Sequence, residues 1–160
     1  MRRIGLGILA LLACVPAPAQ DTTAREVIAM ERAALERWAK GDTLGYVEIA
    51  TEDTTYFDPS TERRVDGLDA FRRNLEPARG TFHNDRWEML NPKVQSCEHI
   101  AVLTYNFVSW TGARESRWNI TGIYRRTPGG WRLMSSHFSL TQPDKQKRPA
   151  SGANPADKKP

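Results

Sequence analysis

A chain of 160 residues with 39% hydrophobic content allows one domain with an ordinary core and leaves no room for a second. Its net charge of +4 sits at the two ends: Arg2 and Arg3 carry +2, the stretch from Gln142 onward carries +3, and residues 21–141 sum to −1. That nearly neutral body lacks the basic face on which counterion release depends, which excludes nucleic acid as a partner.

Residues 1–19 have the layout of a signal peptide. Arg2 and Arg3 precede an apolar run from Ile4 to Ala13, too short to anchor stably across a bilayer. Pro16 ends that run, and Ala17-Pro18-Ala19 offers the small residues of a cleavage site before Gln20. This layout predicts a secreted or periplasmic protein. A second reading stays open: Leu11-Leu12-Ala13-Cys14 resembles a lipobox, in which Cys14 would be lipidated and hold the protein on a membrane. No membrane partner is expected otherwise. With Cys14 removed, Cys97 is the one remaining thiol, so no intrachain disulfide is expected.

The body, residues 20–141, begins with a helix from about Ala24 to Lys40. Thr23 and Glu26 fit a capping box, and Val27, Met30, Ala34 and Trp38 recur at helical spacing, with Ile28 and Leu35 widening the stripe. Gly41 stops the helix, and Asp42 caps a shorter one carrying Leu44, Val47 and Ile49. Thr54-Thr55-Tyr56-Phe57 is β-prone and ends at Asp58-Pro59, with Arg63-Arg64-Val65 as a hairpin partner. Asp66 caps a third helix bearing Leu68, Phe71 and Leu75, closed by Pro77.

From Trp87 the period changes to two. A strand containing Trp87, Met89 and Val94 is interrupted at Asn91-Pro92, where proline implies an edge or a bulge. Three long strands follow: His99 to Trp110, Glu115 to Thr127, and Trp131 to Thr141. Their turns are Thr111-Gly112-Ala113-Arg114 and Pro128-Gly129-Gly130. Three helices over one face of a curved antiparallel sheet make an α+β architecture. The remaining segment, 142–160, holds four prolines and no Val, Ile, Leu or aromatic residue, and predicts a disordered basic tail.

This order of elements resembles the NTF2-like superfamily, in its SnoaL-like branches, whose members fold as a cone with a pocket under three N-terminal helices. The likeness is strongest to the association (hub) domain of calcium/calmodulin-dependent protein kinase and its bacterial single-domain relatives. It is carried by Lys40-Gly41-Asp42, Phe57-Asp58-Pro59, Val65-Asp66-Gly67, Leu90-Asn91-Pro92-Lys93-Val94, Ile123-Tyr124-Arg125-Arg126, Gly130-Trp131-Arg132 and Ser136-His137-Phe138-Ser139. The resemblance implies a cone that binds a small organic molecule. Because one such fold hosts many activities, an isomerase or lyase and a bare oligomerisation module stay open beside it.

Asp58 holds the position at which the superfamily's ketosteroid isomerases keep a catalytic aspartate, and Asn119 falls near their oxyanion donor. A carboxylate in an apolar cup removes a proton α to a carbonyl if a donor stabilises the enolate. The competing role for Asp58 is to initiate the turn at Pro59 by accepting backbone N–H groups. Asp58 and Asn119 are expected to share one cavity, with Asn119, Thr121 and Ile123 facing it and Trp118, Ile120 and Tyr124 turned toward a partner. Tyr56, Phe57, Trp87, His137 and Phe138 are the candidate ligand-binding residues, with Trp110 and Trp118 as further members of an aromatic cup. Trp110, Trp118 and Tyr124 are poorly suited to water, which predicts a homodimer packed through the outer sheet face. His83, His99 and His137 lack metal-ligand spacing, so neither a metal nor another cofactor is expected.

Overall fold

In a computed structural model, residues 17–141 are described, with side chains from Gln20 onward. The leader through residue 16, with Cys14, and the segment 142–160 lie outside the described residues.

Helix α1, Ala17–Ala39, buries Val27, Ala34 and Leu35 along one face and leaves Arg25, Arg32 and Glu36 exposed on the other. It starts upstream of Thr23, so the expected capping box does not form. Glu26 lies inside the helix and accepts hydrogen bonds from the Arg126 guanidinium (2.7 Å) and the Trp131 indole (3.1 Å). Gly41 turns the chain at φ 77°, where a Cβ would stand 2.6 Å from the Phe82 carbonyl oxygen, so both conformation and space require glycine. Thr43, not Asp42, occupies the cap position of α2, Leu44–Ile49, while Asp42 just before it accepts the Leu44 N–H at 3.1 Å and the Arg37 guanidinium at 2.7 Å.

Strand β1, Ala50–Phe57, pairs with the two-residue β2, Val65–Asp66, so that of the expected partner Arg63-Arg64-Val65 only Val65 enters the ladder. Helix α3 spans Leu68–Leu75 and runs into a 3₁₀ turn, Glu76–Ala78. Asp66 does not cap α3: Gly67 occupies the cap position, and the Asp66 carboxylate takes the Arg64 guanidinium at 2.6 Å. The sheet is completed by β3, Arg86–Cys97, β4, Ile100–Thr111, β5, Arg114–Thr127, and β6, Gly130–Leu140. Its order is β2-β1-β6-β5-β4-β3, antiparallel except for β1 against β6. Strand β3 is both an edge and bulged, with Asn91 at φ 51° and the register shifting between Leu90 and Lys93.

The inner face of this curved sheet presents Ala101, Leu103, Tyr105, Phe107, Ile120, Tyr124 and Leu133 to the helices, where they pack with Val27, Leu35 and Phe71. The two faces of β5 are the reverse of the expectation. Trp118, Ile120 and Tyr124 point inward, while Asn119, Thr121 and Ile123 lie on the outer face. The cause is burial: at about 25 cal/mol per Å² of apolar surface, the register that puts the apolar set under the helices wins. Tyr124 is wholly buried in the core and cannot line a dimer seam. Trp110 is on the outer face, where the Arg86 guanidinium lies 3.8 Å from its ring centroid and its indole N–H reaches Glu115 at 3.1 Å.

Candidate functional site

Between the helices and the inner face lies a cavity of about 500 Å³. Helix α1 supplies Leu35 and Trp38, α2 supplies Tyr46, and α3 supplies Phe71 and Leu75. Alternation along the strands brings Phe107, Ser109 and Thr111 from β4, Ser116 and Trp118 from β5, and Phe138 from β6 to the same wall. Tyr56 and Asp58 close it at the end of β1, with Ala78, Phe82, Asn84 and Arg114 around the rest of the rim. The aromatic rings contact one another. The Phe138 ring lies 5.8 Å from Tyr56 and 6.2 Å from Tyr46, and the Tyr56 and Phe71 rings lie 5.1 Å apart, tilted by 48°.

Asp58 is half-buried, and its carboxylate is already engaged. One oxygen accepts the Ser60 N–H (2.8 Å) and hydroxyl (2.6 Å), and the other accepts the Tyr56 hydroxyl (2.8 Å). The Asp58 N–H donates to Thr61 Oγ1 at 3.0 Å, and its carbonyl accepts from Thr61, so the residue closes a turn as well as bordering the cavity. Burial, with the Asp58 carboxylate beside it, holds the Tyr56 phenol well above its usual pKa, so it stays a donor.

Of the residues singled out from sequence, Tyr56, Asp58 and Phe138 come together at the cavity. Asn119 does not join them. It lies exposed on the outer face and accepts the Asn106 amide at 2.8 Å across the ladder, because its alternation partners Trp118 and Ile120 take the inner positions. Phe57 and His137 share that outer face, paired across β1 and β6 with rings 5.9 Å apart. Trp87 packs on Phe107 at 6.1 Å and donates to Glu36 at 3.3 Å, behind the cavity wall rather than on it.

The sequence reading missed a buried acid. Glu31 is 2% exposed and accepts hydroxyls from Tyr46 (2.9 Å), Tyr105 (2.5 Å) and Tyr124. Burial pushes its carboxyl pKa above the usual range, against the opposing pull of the three phenols. The phenols are in turn raised, first by their own burial. Tyr46 belongs to both places, bordering the cavity with its ring and Glu31 with its hydroxyl. Gly122 makes room for this cluster: a Cβ there would meet the Tyr124 ring and hydroxyl at 2.9 Å. The signal was available, since Glu31 stands four residues from both Val27 and Leu35, inside the apolar stripe of α1.

A second, more open hollow lies between α2, β1 and α3, bordered by Glu48, Glu52, Asp53, Arg72, Arg125 and Arg132. Its charges cancel in part: Arg125 pairs with Asp53, and Arg132 donates to the Glu48 carbonyl at 2.6 Å. Among the described residues, no group of three or more His, Cys, Asp or Glu is placed to hold a metal ion.

A model of the SnoaL-like domain matches residues 27–143. Among solved structures, a candidate ketosteroid isomerase from Parabacteroides distasonis is 35% identical, with a TM-score of 0.66 and coverage of 73% of this chain and 86% of that one. An NTF2-like protein of unknown function from Pseudomonas putida superposes at a TM-score of 0.69 with 17% identity, covering 80% and 93%. The association domain of C. elegans CaMKII superposes at 0.65 with 18% identity, covering 76% and 98%. The last two likenesses show the fold alone. A search of curated proteins by sequence returns no match.

Proposed function

The chain belongs to the SnoaL-like domain family, and from that membership and its cavity we propose that it binds one small, mostly apolar organic molecule between the helices and the sheet. The observation that carries this reading is the cavity itself: about 500 Å³, walled mainly by Trp38, Tyr46, Tyr56, Phe71, Phe107, Trp118 and Phe138. That volume matches ligand sites in general, and aromatic walls supply area without flexible side chains to immobilise.

Trp38 and Trp118 border the cavity, so an occupant changes their fluorescence. Titration with naphthylacetamide, a neutral bicyclic probe, is expected to quench that emission saturably. Ala78→Trp, which fills the rim, should abolish the effect without lowering the melting temperature. Unsaturable quenching, or binding untouched by Ala78→Trp, would count against the reading.

A second reading is favoured by Asp58 at the cavity wall and by the name of the 35% identical relative. In it Asp58 is the base of an isomerase or lyase acting on an enolisable ketone. Against it stand the position of Asn119 on the opposite face and the three donors already on the Asp58 carboxylate. Turnover of a β,γ-unsaturated ketosteroid by the wild type and its loss in Asp58→Asn would support the enzyme. Binding without turnover supports the first reading.

The leader layout supports an exported protein, with a mature form beginning at Gln20 or, in the lipidated alternative, at Cys14. Intact mass of the exported form separates the two. The outer face, with Ile100, Val102 and Ile123 only half covered, supports a homodimer. A protein that sediments as a monomer at micromolar concentration would exclude it.

A further inference from the structure

One end of the cavity is built differently from the rest. Where β4 ends and β5 begins, Ser109 faces Ser116 across the ladder and Thr111 faces Arg114. Asn84 approaches from the loop before β3, and all of these side chains border the cavity.

Ser109 is only 7% exposed, yet its hydroxyl has no hydrogen-bond partner among the described residues, and neither has that of Ser116. No fully enclosed side-chain oxygen or nitrogen among those residues lacks a partner, so the Ser109 hydroxyl must open onto the cavity. The Thr111 hydroxyl donates to the His83 carbonyl at 2.9 Å and lies 3.3 Å from the Asn84 carbonyl oxygen, and the Asn84 amide N–H groups meet no acceptor among the described residues. The Arg114 side chain makes no ion pair, hydrogen bond or ring contact among the described residues. Two other arginines of β5 differ: Arg117 is paired with Glu115 at 2.5 Å and Arg125 with Asp53. Arg114 is also the one cationic side chain bordering the cavity, while the one anionic side chain there, Asp58, is engaged by Ser60 and Tyr56.

The Ser109 and Ser116 hydroxyls, the Asn84 amide and the Arg114 guanidinium are donors that meet no acceptor among the described residues at this end of the cavity, and such a set specifies a charged acceptor. We propose that this end of the cavity holds a carboxylate, with the Arg114 guanidinium taking its charge and Ser109, Ser116 and the Asn84 amide donating to its oxygens. The aromatic walls take the remainder, so the ligand class is a monoanionic aromatic or alicyclic carboxylic acid. This assignment rests on the reading of the cavity as a binding site. A dianionic phosphate fits less well, because one guanidinium beside apolar walls leaves a second charge desolvated and unpaired.

The test compares naphthylacetate with naphthylacetamide, equal in shape and different in charge, by tryptophan quenching at one fixed ionic strength. The wild type is expected to bind the carboxylate about tenfold more tightly, the usual scale of a charge-assisted hydrogen bond. Arg114→Gln, a substitution at an exposed turn, should remove that preference, so that the two probes bind about equally. Ser109→Ala should weaken carboxylate binding by roughly threefold, as for one neutral hydrogen bond. Equal wild-type affinities for the two probes, or a preference that survives Arg114→Gln, would overturn the carboxylate site while leaving the cavity reading standing. Saturable binding of neither probe would overturn both together.

Discussion

Two carboxylates in this protein receive tyrosine hydroxyls, one deep under α1 and one at the rim of the cavity. Glu31 is sealed among Tyr46, Tyr105 and Tyr124, and every neighbour it bonds is a phenol. Asp58 takes one phenol, Tyr56, and otherwise the backbone and hydroxyl of Ser60 two residues on. The phenol–carboxylate chemistry is the same; the solvent is not. Under α1 the charge loses water and depends on its three donors, so the cluster locks α1, α2, β4 and β5 into one arrangement. At the rim the charge keeps part of its hydration and the phenol is an addition to a local turn. Burial, more than the identity of the partner, decides which of the two the fold depends on.

The sharpest way to break that contrast is Glu31→Ala. It strips three buried phenols of their acceptor at once, and a loss of about 3–5 kcal/mol is expected by chemical denaturation, the scale for removing one partner of a buried charged network. A loss below 1 kcal/mol would mean that the phenols find other acceptors. Gly122→Ala acts on the same cluster from the other side. Its Cβ would meet Tyr124 at 2.9 Å, and displacing that ring should cost about 1–3 kcal/mol, in the range of overpacking. An unchanged denaturation midpoint would show that the ring moves aside freely.

At the rim the expected effects are smaller. Asp58→Ala should cost about 1 kcal/mol, by analogy with a lost capping hydrogen bond, and should leave naphthylacetamide binding in place. Loss of fold on that substitution would erase the difference between the two sites. The smallest effect at neutral pH is expected from Glu31→Gln, whose amide oxygen accepts two phenols while its N–H donates to the third. It also carries the pH dependence. Burial raises the Glu31 pKa in the folded state, so the protein binds this proton more tightly folded than unfolded. The contribution is therefore full below the ordinary value of 4.5 and is lost as pH rises through the folded pKa. The stability of Glu31→Gln relative to wild type should grow as pH rises from about 4.5 toward neutrality. A pH-independent difference would place the Glu31 proton outside this account.

The fold was legible where one physical signal dominated. Period-two alternation from Trp87 onward marked the long strands, and Asn91-Pro92 marked β3 as both edge and bulge. The parallel pairing of β1 with β6 was not legible, since it joins segments some 80 positions apart without a local signature. The faces of β5 are not legible from Asn119 alone, because burial of the apolar set Trp118, Ile120 and Tyr124 sets the register and turns Asn119 outward. The cavity was legible only from β1 and β6, through Tyr56, Asp58 and Phe138. Its serine and arginine end was not, because Ser109, Arg114 and Ser116 read as ordinary turn-flanking residues until the strands bring them to one wall.

The parallel pairing of β1 with β6 has a consequence for how the chain is made. Strand β1 is complete by residue 57, but its partner on the central side of the sheet, β6, is the last of the sheet's described strands to be made. Until then β1 has only the two residues of β2 beside it, and α3, which packs on β1, rests on an unfinished edge. Contacts this distant in sequence slow folding, because the loop between them must close before they contribute. The pairing of β1 with β6 therefore cannot form until the chain has been made beyond residue 130, and ending it before that point would leave β1 with no strand of this sheet to lie against except β2.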